Sequence, residues 1–311
     1  YFAYCTQIHS QENELGTTME ASFFTQVLLP LSLAIIMFGM GLSLTASDFR
    51  RLLQTPKAVL LGLFGQLIVL PVVAIGLIYI FSVPAHIAVG IMILAACPGG
   101  TSSNLLAHIA RANLALSVSL TAITTVFCII TTPLLIKWGI SLFSDTPDEQ
   151  FSLIKTSLSL LVISLVPIAI GMIIRRFAKK FAQRSEGFFR HLSTFFLFSM
   201  IAKIAYDERE MLIESFPTIF IFTLSLNLIA TLAGVLLAKF GKLKVHDAVT
   251  LGIEVGTQNA TMAILIAVTF LSNSQYAIAG GVYGVSMYLG ALLLITAKRK
   301  GLLDKLGFVT N

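Results

Sequence analysis

Charge is what this 311-residue sequence has least of: Asp, Glu, Lys and Arg together make up 12% of it, about half the share of a soluble domain. Too little charge is present to cover a water-exposed surface, so a soluble enzyme or binding module is excluded, as is a disordered chain. Cysteine is scarce and odd in number, at Cys5, Cys97 and Cys128. No disulfide framework or zinc spacing follows, and five histidines add no metal-ligand pattern. The opening residues 1–22 lack both a basic n-region and an apolar h-region, so they do not read as a secretory signal.

What fills the chain is apolar. Hydrophobic residues make up 56% and the mean hydropathy is +0.89, which predicts an all-α, polytopic membrane protein. A bilayer-spanning helix needs about 20 largely apolar residues. Runs of that kind fall at about 23–46, 57–82, 86–110, 113–140, 152–175, 189–206, 212–239, 246–272 and 276–297, which is nine expected spans.

The loops give the spans a direction, because Lys and Arg concentrate on the cytoplasmic side. Arg50, Arg51 and Lys57 follow the first span, Arg111 the third, and Arg175, Arg176, Lys179, Lys180, Arg184 and Arg190 the fifth. Lys239, Lys242 and Lys244 follow the seventh, and Lys298, Arg299, Lys300 and Lys305 the ninth, so one side holds 17 of the 21 basic residues. The other side holds Glu12, Glu14, Glu20, Asp145, Asp148, Glu149, Asp207, Glu208, Glu210 and Glu214. The expected topology has residues 1–22 outside and the tail 298–311 in the cytoplasm, in a plasma membrane or a bacterial inner membrane. The net charge of +6 is then topogenic, with some attraction to anionic lipid, and does not indicate a nucleic-acid partner. Nothing in the sequence sets an oligomeric state.

Two polar clusters stand at membrane depth. One is Ala96-Cys97-Pro98-Gly99-Gly100-Thr101-Ser102-Ser103-Asn104 in the third span; the other is Ile253-Glu254-Val255-Gly256-Thr257-Gln258-Asn259-Ala260-Thr261 in the eighth. Helix breaks leave backbone groups unpaired, so such segments must be buried in protein or line a wet cavity. Paired breaks point to an inverted-repeat secondary transporter. The halves are 23–140 and 189–297, with the span 152–175 between them, and GTSSN and GTQN echo each other. Helix packing through small residues is the alternative reading of the first cluster.

Among 15 acidic residues only Glu254 sits deep in a span. A carboxylate there costs several kcal/mol and needs a cation, a proton or a basic partner; a protonated structural role is the alternative. Carboxylate, amide, hydroxyl and carbonyl oxygens suit a hard cation, which leaves sodium or a proton as the economical choice. Gln66 is a further polar residue at mid-span. Ser117, Ser119, Thr121, Thr124 and Thr125 offer hydroxyls that, taken singly, favour bonding back to their own helix. Cys97, Asn104 and His108 do not make a nucleophile set, because His108 lies about three turns beyond Cys97 with no matching acid, so no enzyme is expected.

IMFGMGLSL with the following Asp48-Phe49, CPGGTSSN with ARANLALSVSLT, and IEVGTQNA, taken together and in that order, resemble the bile acid:sodium symporters over nearly the whole chain, from Met37 to about Ala297. The resemblance implies a core domain with two crossed discontinuous helices, a panel domain, and substrate between them; the nine-span form is similar to the mammalian liver and intestinal members. It implies one sodium site at Ser103, Asn104, Ser117, Thr121 and Glu254. A second is implied at Gln66, Glu254, Gln258 and the carbonyls of Val255 and Thr257. Thr101 and Asn259 match positions facing the substrate, and Met287 and Tyr288 stand in the last span where some bacterial relatives carry Trp-His-Asn. The ion machinery is matched more closely than the substrate site.

The expectation is therefore a symporter that imports an organic anion, bile-acid-like or a smaller carboxylate, with Na+ as coupling ion and no other cofactor, by alternating access. The positive ends of the half-helices near Thr101 and Asn259 would attract the anion without a buried arginine. A proton-coupled or facilitative carrier with Glu254 as the titrating group stays open.

Overall fold

The structure is a computed structural model that describes residues 27–144, 152–304 and 308. The expected outer segment 1–22, the first residues of the first span, the loop acids Asp145, Asp148 and Glu149, and Lys305 lie outside the described residues. The described chain is all-helical, with no strand among the described residues.

Its elements are α1 (Leu29–Ser43), α2 (Ala46–Gln54), α3 (Pro56–Phe81), α4 (Ala85–Ala96), α5 (Thr101–Ile109) and α6 (Leu114–Phe143). Then come α7 (Leu153–Phe177), α8 (Lys179–Asp207), α9 (Arg209–Phe240), α10 (Val245–Gly256), α11 (Ala260–Phe270) and α12 (Gln275–Arg299). Nine spans are expected from the sequence; among the described residues six helices are long and apolar enough to cross a membrane by length and composition. Five of these are α3, α6, α7, α8 and α12, and the sixth is Ser215–Phe240 within α9. Three more apolar helices are shorter, Leu29–Ser43, Ala85–Ala96 and Ala260–Phe270.

Two elements depart from the expected boundaries. Residues 46–54 form a separate short helix, because the Asp48 carboxylate accepts both the Thr45 backbone N–H and its hydroxyl at 2.7 Å, a capping arrangement that starts a new helix. The sixth run, expected from 189, is helical from Lys179, since Lys, Gln, Arg and Glu are good helix formers and carry the helix past the apolar segment.

Prolines place two wide turns. A π-turn at Gly65–Val69 precedes Pro71, and another at Leu161–Leu165 precedes Pro167. Proline lacks the N–H for the i−4 carbonyl and pushes that carbonyl aside, and the backbone accommodates this by a five-residue turn. The first of these turns carries Gln66.

Packing separates two groups of helices. α1 lies against α7 and α8. A Cβ on Gly171 would come 2.5 Å from the Phe38 carbonyl oxygen, and one on Gly41 would collide with the Ile168 backbone, so these glycines set the close approach of α1 and α7. The second group joins α9, α10 and α12, with α4 against α6 and α12. Its buried centre includes Leu226, Leu251, Ile253, Val255 and Tyr283.

Candidate functional site: a buried carboxylate where two helix breaks meet

The helix from Ala85 stops at Ala96, where Cys97 turns extended (φ −76°, ψ 154°), and restarts at Thr101. The helix from Val245 stops at Gly256, where Thr257 is extended (φ −121°, ψ 112°), and restarts at Ala260. The two breaks lie antiparallel against each other: Gly99 bridges Gln258, and the Asn259 N–H donates to the Pro98 carbonyl at 2.9 Å. Asn259 also caps α11, its side-chain oxygen accepting the Met262 N–H at 3.0 Å.

Carbonyls freed by the breaks find partners on neighbouring helices, as an apolar surrounding requires. Thr132 of α6 donates to the Ala96 carbonyl at 2.5 Å. The Gly256 carbonyl accepts from Tyr283 at 2.8 Å and from the Asn227 amide at 2.6 Å. Asn227 in turn accepts the Gly290 N–H at 2.9 Å and donates to the Met287 carbonyl at 3.2 Å. Thr132, Asn227 and Tyr283 were not singled out by the sequence reading; a lone Asn at the middle of an apolar run was the available signal for Asn227.

Glu254 ends its half-helix fully inside the protein, 3% exposed. Its carboxylate accepts from Ser103 at 2.8 Å, from Thr121 at 3.0 Å, and from Ser117 in a short hydrogen bond. Ser117 also reaches the Asn104 side-chain oxygen at 2.9 Å, and Thr121 reaches it at 3.5 Å. All five residues implied for the first sodium site are thus brought together. Gly99 completes the enclosure, since a Cβ there would come 2.9 Å from the Glu254 carboxylate. No Lys, Arg or His lies within 4.0 Å of that carboxylate among the described residues.

The register that aligns these groups is fixed one turn below. Asn113 caps α6 by accepting the Leu116 N–H at 3.1 Å, and its own N–H donates to the Thr250 hydroxyl at 3.0 Å. Its side-chain amide donates to Asp247 at 2.7 Å. Asn113, Ser117 and Thr121 stand at i, i+4 and i+8 on α6, facing Thr250 and Glu254 at i and i+4 on α10. Three neighbouring hydroxyls of α6 bond back to their own helix: Ser119 donates to the Ala115 carbonyl, Thr124 to Leu120, and Thr125 to Thr121.

The second implied set is also assembled. Gln66, Gln258 and Thr257 are buried, and the Gln258 amide donates to the Val255 carbonyl at 3.0 Å. The Gln66 amide meets Gln258 in either orientation: it donates to the Gln258 side-chain oxygen at 2.6 Å, or, with its ends exchanged, donates to the Glu254 carbonyl at 3.0 Å and accepts from the Gln258 amide at 2.9 Å and the Gly99 N–H at 3.3 Å. The Thr257 hydroxyl is buried and has no hydrogen-bond partner among the described residues.

A cavity of about 350 Å³ adjoins the carboxylate cluster. One wall is Thr101, Asn104, Leu105 and His108 of α5 with Leu114 and Val118 of α6; the other is Ile36, Gly39, Met40 and Ser43 of α1, Arg175 of α7, and Glu186, Phe189 and Ser193 of α8. Asn104 belongs both to this wall and to the Glu254 cluster. A smaller space of about 20 Å³ touches Thr101, Asn259 and Met287. Thr101 therefore lines both spaces, Asn259 and Met287 only the smaller one. Tyr288 lines neither, and its hydroxyl lies 3.2 Å from Ser102.

A family model described as the Sodium Bile acid symporter family matches residues 30–215. The chain is 34% identical over 278 residues to a Bacillus subtilis (strain 168) protein named "Uncharacterized sodium-dependent transporter YocS", covering 88% of this chain and 84% of that one. It is 29% identical over 264 residues to the "Probable sodium/metabolite cotransporter BASS1, chloroplastic" of Arabidopsis thaliana, covering 85% of this chain and 65% of the relative. It is 27% identical over 287 residues to the "Probable sodium/metabolite cotransporter BASS2, chloroplastic" of Oryza sativa subsp. japonica, covering 92% of this chain and 66% of the relative. All three are named as transporters or cotransporters, not as enzymes, and the chain spans just under two thirds of the plant proteins' length. The chain belongs to the sodium bile acid symporter family.

Proposed function

We propose that this protein is a sodium-coupled symporter that imports an organic anion by alternating access. The observation that carries the reading is the Glu254 cluster, a buried carboxylate met by three hydroxyls among the described residues and sharing Asn104 with a cavity wall. Three hydroxyl hydrogens face the two carboxylate oxygens, an amide oxygen and the carbonyls of Gly100 and Ser117. That surplus of acceptors, without sulfur or imidazole, fits a hard monovalent cation. Sodium at Ser103, Asn104, Ser117, Thr121 and Glu254 would neutralise the carboxylate. A second ion would be held by Gln66, Glu254, Gln258 and the carbonyls of Val255 and Thr257.

In this reading α4 with α5, and α10 with α11, each complete one membrane passage, and α1 makes another, for nine in all. The breaks then occupy matching places in two halves of opposite orientation, 23–140 and 189–297 around α7. α1, α7 and α8 form the panel, and the remaining helices form the core. With the basic loops in the cytoplasm, the cavity mouth at His108, Arg175 and Glu186 faces inward, where substrate is released.

Coupling follows from the shared residue. An ion binding at Glu254 draws the Asn104 oxygen toward itself and orders the wall that meets substrate, so sodium favours the substrate-competent state through differential affinity. The cavity volume lies at the lower end of the range for small-molecule sites, which favours a compact carboxylate over a larger one; Thr101 lines the cavity on the side of the breaks, while Asn259 lines the smaller space that Thr101 also borders.

Uptake into proteoliposomes tests this, with external sodium replaced by choline and with Glu254→Gln in parallel. Uptake is expected to need sodium and to collapse in the variant. Accumulation that ignores sodium but follows a pH gradient would instead assign proton coupling to Glu254.

A further inference from the structure

We propose that Arg175 is the anion-binding residue of the cavity, which takes a compact monoanion with an apolar body. The proposal rests on the organic-anion reading above and adds the residue that reads the charge. Arg175 and Arg176 close the same helix, and a purely topogenic arginine needs only to be on the correct side. Their side chains nonetheless do different things. Arg176 is exposed and lies over the Phe177 ring, 5.7 Å from its centroid. Arg175 is half-buried and lines the cavity, and one of its terminal nitrogens is buried with no hydrogen-bond partner among the described residues.

A buried charged donor left unpaired is costly, and no carboxylate lies within 4.0 Å of this one among the described residues. The guanidinium presents a planar fork that matches carboxylate or sulfonate oxygens. Ile36, Met40, Leu105 and Phe189 give the same cavity an apolar lining, which suits the body behind the charged head. Glu186 faces the cavity as well. The single charge of Arg175 matches one anionic head, and Glu186 on the same cavity repels a second. Arg175 and Glu186 together therefore select monoanions over dianions.

The test uses the purified full chain in detergent at saturating sodium, with thermal stabilisation as the readout. The probes are hexanoate, benzoate and cholate as carboxylates of increasing size, hexanamide as the uncharged control, and adipate as the dianion. At least one carboxylate is expected to stabilise the protein while hexanamide does not. Arg175→Gln should weaken that carboxylate by about tenfold or more, as loss of a charged hydrogen bond does, with the stabilisation by sodium alone unchanged. Glu186→Gln should bring adipate closer to the monoanions by about threefold or more, the size of one nearby charge at a partly wet site.

Unchanged carboxylate affinity in Arg175→Gln overturns the assignment while leaving the symporter reading intact. Failure of every carboxylate on the wild-type protein, with the sodium response present, overturns the organic-anion reading and this one together. Where Arg175→Gln does not fold, Arg175→Lys decides: it keeps a charge but lacks the fork, so affinity equal to wild type overturns the proposal.

Discussion

The two walls of the cavity are built on opposite principles. The α5–α6 wall is tied to the Glu254 cluster: Asn104 accepts from Ser117, Ser117 and Thr121 donate to the carboxylate, and Asn113 locks α6 to α10 one turn away. On the α1–α7–α8 wall, close contact between Gly41 and Gly171 joins the helices, while Arg175 lines the cavity with one terminal nitrogen that has no hydrogen-bond partner among the described residues. Polar order on one side and steric fit on the other teach where each task falls. An ion site needs oxygens fixed by hydrogen bonds, whereas a wall that must slide and repack is better held together within itself, and the long 3.5 Å contact between the Thr101 and Ser193 hydroxyls is a weak tie across the cavity.

The sharpest way to break this comparison is to discharge the ordered wall. Glu254→Gln keeps the shape and removes the charge that an ion would neutralise. Sodium-dependent uptake is expected to fall by about 100-fold or more, the value of a charge-assisted site in a low-dielectric interior. Normal expression and an unfolding temperature that no longer responds to sodium would accompany the loss. A variant whose uptake still rises normally with sodium would remove Glu254 from the coupling.

Smaller, graded effects are expected from the oxygens around it. Ser117→Ala removes one donor to the carboxylate and one to Asn104, and should raise the sodium concentration for half-maximal uptake by about tenfold, in line with about 1.5–3 kcal/mol for a hydrogen bond to a charged group. Asn104→Ala should act on sodium and on substrate alike, because the residue belongs both to the carboxylate cluster and to the cavity wall. A shift in sodium activation with substrate affinity untouched would separate the wall from the ion site and refute the shared-residue coupling.

How much of this was legible depended on whether a residue advertised itself against its background. Glu254 did, as a lone carboxylate in an apolar run, and so did the glycine-containing polar breaks; both were found from hydropathy and charge. Gln66 was visible as polar, but its approach to Gln258 depends on the π-turn ahead of Pro71, a backbone detail that periodicity does not encode. Asn227 anchors three backbone groups from two other segments, and long-range bonds of that kind leave no local pattern. Arg175 was legible only as a sidedness marker, since loop charge says which side of the membrane a residue is on and nothing about which way it points. The short helix α2 was missed because its signal is the cap between Thr45 and Asp48 rather than an apolar run.

The α1–α7–α8 wall is tested next by its glycines. Gly171→Val places methyl groups where the Phe38 carbonyl stands and should destabilise the protein by about 1–3 kcal/mol, the usual cost of overpacking. Sodium should still raise the unfolding temperature by its wild-type increment, because the ion site belongs to the other wall. A lost sodium increment would mean that the two walls fold as one body and that the contrast between them is only local.

The smallest effect separates the hydroxyls within α6 itself. Ser117 and Ser119 differ by two positions, which on a helix turns one toward Glu254 and the other away. Ser119 is fully buried, and its hydroxyl donates to the Ala115 carbonyl one turn back at 2.7 Å. Such a back-bond satisfies the side chain without holding anything else in place, and the Ala115 carbonyl keeps its place in the helix when the hydroxyl is gone. Ser119→Ala should therefore leave stability within about 0.5 kcal/mol, as substitutions that strand no partner do, and leave sodium activation unchanged. Measured beside Ser117→Ala, it isolates orientation from chemistry, because the same atom is deleted from the same helix at the same depth. Equal losses in the two variants would show that any hydroxyl in α6 serves, and the geometric case for the carboxylate cluster would fall with that result.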